Sequence, residues 1–553
     1  MRLVEAEKQW MRVRPRRPDA VAMGALVVLV ACGNHACGNH ERARPLAPAP
    51  APIASATAPE PSLSPEAASA SASAFAPSPA LAAPPAPPPG IRQIGRCDNP
   101  SGPQRFTIAH FNDLQARYSD RIAGKSRYAY LAGYLRQVKQ DTPNTLVLDA
   151  GDDYEKGSLA DLRSNGEVTR QIVQALPIDA RTIGNHDFAY GESAVLRDVA
   201  LSGHPVLAAN VRRGENKGPF VPYVRIDVGC VKVGIVGLTT QGYGGNDEQT
   251  KEPFFGVLHH DDRYYQLLDE QIRAHRREVD VMIALTHLGQ YFDSDLAKAH
   301  AGIDFFVGGH SEDLLSDLDG TRRKDKTHAY VMQVGRNAKY VGRADVVVHP
   351  SALGPPKGIA LERYTITTID EKLPAAADVA DLVTRLEREA VPDLLATIAN
   401  VASAVDAKAM GELVRRAVVD RWGADALVLG SDVFFDGLPA GPLSLQRLYD
   451  TVFVQKEPAG TTGFTSLYAV MLSGEDLKTL KQRARPPYVV YLPDAMQATK
   501  SYKVLVEKRA LGFPSLAFNA APKAWPASGR FAGELIDALE AYARARAAKG
   551  QSL

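Results

Sequence analysis

The chain has few cysteines, no excess of charge of either sign, and no apolar run long enough to cross a bilayer. Of its 553 residues four are cysteine, and the formal net charge is +1. A charge this close to zero disfavours a nucleic-acid polymer as partner, because such binding needs a concentrated basic surface. A spanning helix needs roughly 20 consecutive apolar residues, and the sequence contains no such run. The composition, 45% hydrophobic and 23% charged, is that of a globular chain long enough for more than one domain.

The N-terminus differs in kind from the rest. Basic residues in MRVRPRRPD precede the apolar run AVAMGALVVLVA, which ends at Cys32. This order is typical of a secretory signal peptide, and the run is too short to span a membrane. The ending Leu-Val-Ala-Cys resembles the lipobox of bacterial lipoproteins, whose cysteine is lipidated. We predict a lipoprotein signal at 1–32, with a plain cleaved signal as the alternative, and an exported protein held by lipid at the periplasmic or outer-membrane face of the cell envelope.

Residues 33–95 interleave proline with alanine and serine. Such a stretch cannot bury enough apolar surface to fold, and proline keeps it extended. It is predicted to be a disordered tether between the anchor and a folded body. Only Cys97 and Cys230 remain for that body. An exported chain can pair them, but two cysteines do not make a disulfide framework, and the pairing stays open.

From about residue 104 the chain alternates short apolar runs with amphipathic segments. Runs such as NTLVLDAG, CVKVGIVGLTT and DVMIALTH read as buried strands, and YAYLAGYLRQVKQ reads as a helix between strands. Alternating strands and helices predict a layered α/β domain, which we place at 96–350. SALGPPKG marks a break, so a linker is predicted at 351–375 and a smaller mixed α+β domain at 376–545.

Polar side chains stand where these strands end. Asp113 follows FTIAHF, Asp152 follows NTLVLDAG, Asn185 follows DARTIG, His287 ends DVMIALTH, and His310 follows DFFVGG. In open α/β sheets, sites form beyond the carboxyl ends of the strands. One such residue is usually a helix cap, but five of them favour a pair of divalent cations, which need carboxylate, amide and imidazole ligands.

The motifs HFNDLQ, DAGDDYEKGS, GNHDFAYG, ALTHLG and GGHSE resemble, in order and spacing, those of the calcineurin-like metallophosphatases. VLAANV and VGIVGLTT resemble the 5′-nucleotidase branch. The resemblance covers about 105–345 and implies a four-layer β-sandwich flanked by helices, followed by the C-terminal substrate domain of that branch. It also implies that Asp152 bridges two metals, that Asp113 binds the first, and that three residues bind the second: Asn185, His287 and His310.

The resemblance further implies that His186 is the histidine that stabilises the transition state or protonates the leaving oxygen. Relatives carry an aspartate that orients this histidine, and Ala189 stands at that position here. Asp187 or Glu155 could substitute for it, and we place Asp187 with His186 in the catalytic group. General acid catalysis of this kind contributes about 10² to 10⁴-fold.

The first metal position departs from the family pattern. Its Asp-x-His becomes Asp113-Leu114-Gln115, and its last motif ends in Glu312. An all-oxygen set of Asp113, Gln115, Asp152 and Glu312 favours Mn²⁺ or Mg²⁺, whereas the histidine position suits Zn²⁺, Mn²⁺ or Fe. The alternative is that the first position is empty.

The second domain departs further. The segment that grips substrate in relatives carries an arginine where this chain has Phe435, and the segment whose aromatic ring stacks on the base falls on FVQK, beginning at Phe453. With Phe434 these side chains are candidates for an apolar substrate wall, although packing in the core is an ordinary role for each.

The leading prediction is a monomeric, lipid-anchored phosphoester hydrolase that uses a dinuclear metal-activated hydroxide on a small phosphoester, with a nucleotide as one candidate and nucleotide catabolism as one role. A second hypothesis is a catalytically weak envelope lipoprotein that uses the same fold to bind a ligand or partner. A third is hydrolysis of a thiosulfonate, as in a sulfur-oxidation branch of the superfamily.

Overall fold

The computed structural model describes residues 92–213, 216–240, 258–260, 263–316, 318, 321–322, 328–351, 354–430, 433, 437–452, 466–493, 495–512, 514–519, 525–526 and 528–553. The predicted signal peptide with Cys32, and the predicted tether as far as residue 91, lie outside the described residues. So do the three aromatic residues of the predicted substrate wall: Phe434, Phe435 and Phe453.

The first part of the chain contains eighteen strands among the described residues. They are β1 (Arg92–Ile94), β2 (Gln104–Phe111), β3 (Arg121–Ile122), β4 (Lys125–Ser126), β5 (Thr145–Asp149), β6 (Ala180–Thr182), β7 (Val206–Leu207), β8 (Val211–Arg213), β9 (Asn216–Lys217), β10 (Tyr223–Val228), β11 (Val231–Thr239), β12 (Leu258–His260), β13 (Val281–His287), β14 (Phe305–Val307), β15 (Thr321–Arg322), β16 (His328–Met332), β17 (Tyr340–Ser351) and β18 (Gly354–Thr368). The α-helices among them are α1 (Arg127–Asp141), α2 (Leu159–Arg163), α3 (Glu167–Gln174), α4 (Glu192–Leu201), α5 (Tyr264–His275) and α6 (Gln290–Ala299). Single 3₁₀ turns lie at Arg117–Ser119, His186–Phe188 and Arg276–Glu278.

Two large sheets form the centre of this part. One has the strand order β18-β17-β2-β5-β6-β7, and the other has the order β1-β10-β11-β13-β14-β16-β15. Strands β2, β5, β6 and β7 run parallel, as do β11, β13, β14 and β16. Parallel strands send their carboxyl ends to the same edge of a sheet, so each sheet has one edge where polar loops gather.

A hydrophobic core lies between the two sheets. Ile108 and Leu148 of the first sheet cluster with Ile283 and Phe305 of the second, and all four are fully buried. On the outer faces, α1 packs on the first sheet and α5 and α6 pack on the second. The layers are therefore helix, sheet, sheet and helix, which confirms the predicted four-layer α/β sandwich.

The C-terminal part contains helices and a second, smaller sheet. Its helices are α7 (Ala377–Ala390), α8 (Ala407–Trp422), α9 (Leu445–Tyr449), α10 (Gly474–Arg483), α11 (Lys508–Gly512), α12 (Pro514–Ala517) and α13 (Leu535–Ala548). Its strands are β19 (Thr397–Val401), β20 (Ala426–Gly430), β21 (Gly441–Ser444), β22 (Ser466–Ser473), β23 (Tyr488–Tyr491), β24 (Ser501–Glu507) and β25 (Arg530–Glu534). The five-stranded sheet has the order β23-β20-β24-β22-β25 and is mixed, as an α+β unit requires.

The predicted linker at 351–375 is corrected by the structure. Strand β18 occupies 354–368 and pairs antiparallel with β17 along its length. The proline and glycine residues that suggested a domain boundary belong instead to a long β-hairpin, which a turn signal equally permits. One hydrophobic cluster also runs from Leu131 of α1 through Val383 of α7 to Leu427 of β20. The two parts therefore share a continuous core.

The start of the body is tied to the second sheet. Strand β1, predicted as the end of the tether, pairs parallel with β10. Cys97 forms a disulfide with Cys230, which lies between β10 and β11. Among the described residues, no helix combines the length and apolarity that crossing a membrane requires.

Candidate metal centre

The residues predicted at strand ends come from both sheets. Asp113 and Asp152 follow β2 and β5, and Asn185 follows β6, at the carboxyl edge of the first sheet. His287 is the last residue of β13, and His310 lies three residues beyond β14. Asp152, His287 and His310 place their ligand atoms within 4.8 Å of one another. The structure therefore gathers these three side chains into one group that can hold a metal ion.

The backbone at three of these residues adopts left-handed conformations, which are rare for residues other than glycine. The φ angles are 53° at Asp113, 62° at Asp152 and 77° at His310. Such left-handed residues cost about 1–3 kcal/mol each and persist where surrounding structure fixes them, commonly at functional sites. Close approach adds to the constraint, because a Cβ on Gly184 would lie 2.1 Å from Oδ1 of Asp152. Only glycine fits beside this carboxylate.

The tautomer of His287 follows from its contacts. Nδ1 lies 2.7 Å from the carbonyl oxygen of Ala150, so it must be the N–H donor. Nε2 is fully buried and lies 3.0 Å from Oδ2 of Asp152. A backbone carbonyl that accepts from one ring N–H and leaves the other nitrogen for an ion is the usual arrangement of a metal-binding histidine.

Two further side chains border this group. Oδ1 of Asn185 lies 2.9 Å from Nδ1 of His310. Oδ2 of Asp113 accepts hydrogen bonds from the side chain of Asn112 (2.6 Å) and the backbone N–H of His310 (3.1 Å). Oδ1 of Asp113 is buried without a hydrogen-bond partner among the described residues. A buried, unpartnered carboxylate oxygen is costly, and a cation would remove that cost. The residues present therefore fit a divalent ion.

The charges of Asp152 and His287 depend on each other. Burial disfavours the ionised Asp152, yet His287 and then His186 outweigh it and lower the pKa of this carboxyl below its ordinary value. Burial likewise opposes the charge on His287, but the Asp152 carboxylate raises its pKa to about 10. Burial raises the pKa of Asp113 well above its usual range. A positive charge, from a proton on His287 or from a metal ion, therefore stabilises the buried carboxylates of this group.

Two hydrogen bonds hold His186 beside this group. Its backbone N–H donates to Oδ1 of Asp152 at 2.8 Å. Its Nδ1 lies 2.6 Å from Oε2 of Glu155, and its Nε2 lies 3.9 Å from Oδ2 of Asp152. Burial, and then the charge of Lys156, lower the pKa of His186 well below its ordinary value. Because a carboxylate only accepts, Nδ1–H donates to Glu155 and Nε2 faces the metal group.

Of the two candidates to orient His186, Glu155 lies at the ring, whereas Asp187, which we expect in the catalytic group, contacts backbone N–H groups. The carboxylate of Asp187 accepts hydrogen bonds from three backbone N–H groups, those of Asp152 (3.1 Å), Asp153 (2.8 Å) and Gly184 (2.6 Å). It therefore holds the Asp152 loop against the turn that carries His186. Burial first, with neighbouring carboxylates, raises the pKa of Asp187 to about 7.

The two departures from the family pattern contact each other. Nε2 of Gln115 donates to Oε1 of Glu312 at 2.5 Å. The other oxygen of Glu312 forms an ion pair with Arg336. Both carboxylate oxygens of Glu312 therefore have partners. The guanidinium of Arg336 neutralises the negative charge of Glu312, which we expected a metal ion to neutralise.

Sequence reasoning missed Arg336, although a signal for it existed. Arg336 follows β16, a parallel strand of the second sheet, by four residues. The strand-end rule that found His287 and His310 applies equally to this position. We applied the strand-end rule only to residues that can bind a metal ion, so the positively charged side chain of Arg336 was overlooked.

The part of the chain that carries most of the metal centre is similar in sequence to known proteins. Residues 106–311 match the model of the family described as calcineurin-like phosphoesterase. An apyrase from Tabanus yao is 30% identical over 274 residues, which are 46% of this chain and 48% of the apyrase. The 5′-nucleotidase of Homo sapiens is 30% identical over 235 residues, 39% of each chain. The chain therefore spans less than half the length of these relatives.

A solved structure extends the likeness of fold. The 5′-nucleotidase precursor from Thermus thermophilus superposes with a TM-score of 0.57 and 19% sequence identity, covering 80% of this chain and 96% of that one. At this identity the likeness concerns the fold alone. It reaches beyond the residues that the family model matches and so includes the C-terminal part.

Proposed function

The chain carries a calcineurin-like phosphoesterase domain at residues 106–311, and we propose that it hydrolyses a small phosphoester with the help of divalent metal. The observation that carries the proposal is the group of Asp152, His287 and His310, with the ring of His186 directed at it. A metal group beside a buried imidazole is an arrangement that supports phosphoester hydrolysis.

The residues of the chain have distinct roles in this proposal. Asp152, His287, His310 and Asn185 would hold the tighter-bound ion, for which Zn²⁺, Mn²⁺ or Fe are suited. When bound, such an ion supplies positive charge to the phosphate oxygens and Lewis acidity to the attacking water.

His186 acts on the leaving group. In this proposal the ring of His186 carries a proton at Nε2 when substrate is present, and the negative charge of the phosphate favours that proton. Nε2–H then donates its proton to the ester oxygen as the bond from phosphorus to that oxygen breaks. Glu155 accepts from Nδ1–H and stabilises the protonated ring, as a carboxylate does for a catalytic histidine.

A second ion is proposed at the oxygen-only position of Asp113, Gln115, Asp152 and Glu312, with Mn²⁺ or Mg²⁺ favoured there. The unpartnered Oδ1 of Asp113 supports it. The ion pair of Glu312 with Arg336 opposes it, because a metal must compete with a guanidinium for the same carboxylate. The oxygen-only position is therefore the weaker of the two.

Substrate and location are proposed on separate grounds. Because an apyrase and a 5′-nucleotidase are among the relatives, a nucleotide is the first substrate to test. Phe434, Phe435 and Phe453 are its candidate contacts. We propose neither a nucleic-acid polymer nor a second subunit as a partner. Export is supported by the disulfide of Cys97 and Cys230, since such bonds persist in oxidising compartments. The lipid anchor at Cys32 rests on the sequence pattern.

The test is an assay of the full chain after metal removal and reloading with Mn²⁺, Mg²⁺, Ca²⁺ or Zn²⁺. Substrates are p-nitrophenyl phosphate, bis-p-nitrophenyl phosphate and AMP, with Asp152→Ala and His186→Ala measured beside the parent. Metal-dependent turnover that both variants lose would support the proposal, and the preferred ester would define the substrate class. A preparation that binds less than one ion per chain and turns over no ester would instead favour the ligand-binding hypothesis.

A further inference from the structure

The loop from Gly151 to Ser158 has to be fixed for the centre to work. It carries Asp152 at one end and Glu155, the partner of His186, near the other. Glu155 and Lys156 both have left-handed backbones, with φ of 66° and 67°. Two successive residues of this kind are unfavourable without support. The loop therefore relies on contacts from outside to hold Glu155 in place.

One of these contacts comes from the C-terminal part of the chain. The side-chain amide of Gln446, in α9, donates from Nε2 to the carbonyl oxygen of Gly157 at 3.0 Å and accepts at Oε1 from the backbone N–H of Leu159 at 3.1 Å. Gln446 is 6% exposed. The orientation of its amide is set by these partners, because a carbonyl needs a donor and an N–H needs an acceptor.

The rest of the loop is confined as well. The backbone N–H of Glu155 donates to Oδ2 of Asp161 at 2.9 Å. A Cβ on Gly157 would lie 2.2 Å from the carbonyl oxygen of Gln115, so the chain cannot move towards that side. Gln446 holds the loop at Gly157 and Leu159, and its Nε2 also donates to Oδ1 of Asp450 at 2.9 Å.

We propose that Gln446 is a positioning residue for the proposed reaction: by clamping Gly157 and Leu159 it holds Glu155 at Nδ1 of His186. This inference rests on the proposed phosphoester hydrolysis. It gives the C-terminal part a role in proton transfer, separate from any role in binding substrate. It also requires that α9 is docked on this loop at the step in which the ester bond breaks.

The choice of leaving group distinguishes positioning from general stability. An alkoxide leaving group, as in glycerol phosphate, needs a proton when the ester bond breaks, whereas p-nitrophenolate leaves readily without one. Loss of an oriented acid therefore slows alkyl esters more than nitrophenyl esters. A variant that merely destabilises the enzyme slows both equally.

The experiment compares Gln446→Leu, which keeps the volume and removes both hydrogen bonds, with Gln446→Glu, which keeps the acceptor for Leu159 and places an oxygen against the carbonyl of Gly157. We expect kcat on glycerol phosphate to fall about 10-fold or more in both, since general acid catalysis is worth about 10² to 10⁴-fold. On p-nitrophenyl phosphate we expect a loss of less than about 3-fold, with KM unchanged on both substrates, because Gln446 does not touch the metal group.

A double variant and a control complete the test. Glu155→Gln with Gln446→Leu should lose no more on glycerol phosphate than Glu155→Gln alone, because the two residues act in series. Arg163→Ala is the matched control, since Arg163 joins the two parts by ion pairs with Asp537 and Glu540 away from the loop. It should leave the ratio of the two activities unchanged.

The possible results distinguish a failure of the positioning role of Gln446 from a failure of the proposed phosphoester hydrolysis. Equal losses on both esters in both Gln446 variants, or additive losses in the double variant, would overturn the positioning role while phosphoester hydrolysis stands. A parent enzyme that is inactive with every metal on these two esters, on AMP and on bis-p-nitrophenyl phosphate would refute the proposed function, and the inference with it. A Gln446→Leu protein that does not fold leaves the decision to Gln446→Glu, whose folding is checked by thermal melting.

Discussion

Nδ1 of His186 lies 2.6 Å from Oε2 of Glu155, and both side chains are buried, with 3% and 1% of their surfaces exposed. The carboxylate fixes the ring so that Nε2 faces Asp152, 3.9 Å from its Oδ2. Thirty-one positions separate the two residues, and the left-handed turn at Glu155 brings them together.

Glu155→Gln is expected to reduce turnover of an alkyl phosphate by about 10² to 10⁴-fold, the range of general acid catalysis. The amide keeps the shape but cannot stabilise a protonated ring. The measurement is kcat on glycerol phosphate and on p-nitrophenyl phosphate, which should be affected much less. Similar kinetics in Glu155→Gln and the parent would remove Glu155 from the mechanism.

His287→Ala is expected to lose the proposed tighter-bound metal, since it removes a proposed ligand whose other nitrogen is already held by the carbonyl of Ala150. At 100 times the dissociation constant, a bound ion stabilises the folded state by about 2.7 kcal/mol. Thermal melting with and without Mn²⁺ should show this gain in the parent and not in the variant. His275→Ala removes a histidine paired with Glu278 outside the centre and should respond as the parent does.

Arg336→Met is expected to strengthen binding at the oxygen-only position, because it releases the carboxylate of Glu312. An increase of about 10-fold in the affinity of the second Mn²⁺ corresponds to about 1.4 kcal/mol, within reach of one partly buried ion pair. Isothermal titration of the metal-free protein measures both sites. Arg363→Met, which removes an exposed ion pair with Asp345, is the control. Unchanged binding in Arg336→Met would mean that Arg336 does not compete with metal.

The disulfide makes a prediction about stability. Cys97 and Cys230 are separated by 133 positions, and a bond that closes so long a loop restricts the unfolded chain strongly. Cys97→Ser is expected to lower the free energy of unfolding by about 2–4 kcal/mol. Denaturant titration measures it, and adding reductant should destabilise the parent but cause no further change in the variant.

Stability should also fall in mild acid because of His110. This side chain is fully buried, and burial lowers its pKa from 6.5 to about 3. Below pH 6.5 the unfolded chain binds a proton here that the folded protein excludes. The contribution of His110 to the free energy of unfolding is thus complete above pH 6.5. About 1.5 kcal/mol of this free energy is lost between pH 6.5 and 5.

His110→Phe should remove this part of the pH dependence, as measured by denaturant titration at both pH values. Tyr364→Phe loses the hydrogen bond between Tyr364 and His110 but keeps the imidazole, so it should keep the dependence of the parent. Equal slopes in all three proteins would show that folding leaves the pKa of His110 unchanged.

The sequence alone determined the layered fold and the strand ends at which polar residues gather. Buried strands have recognisable apolar runs, and parallel strands must end at one edge of a sheet, so Asp152, His287 and His310 could be placed together before any contact was known. The same local logic failed at 351–375, because proline and glycine signal a turn equally well within a hairpin and between domains.

Only the tertiary structure decided which side chains pair. The choice of Glu155 over Asp187 for His186, the engagement of Glu312 by Arg336, and the clamp of Gln446 on the loop of Glu155 all join residues distant in sequence. Their geometry depends on left-handed turns and on the packing of two sheets and a C-terminal helix. Those turns are unfavourable locally and exist because the surrounding fold holds them, so no local pattern of residues could have revealed them.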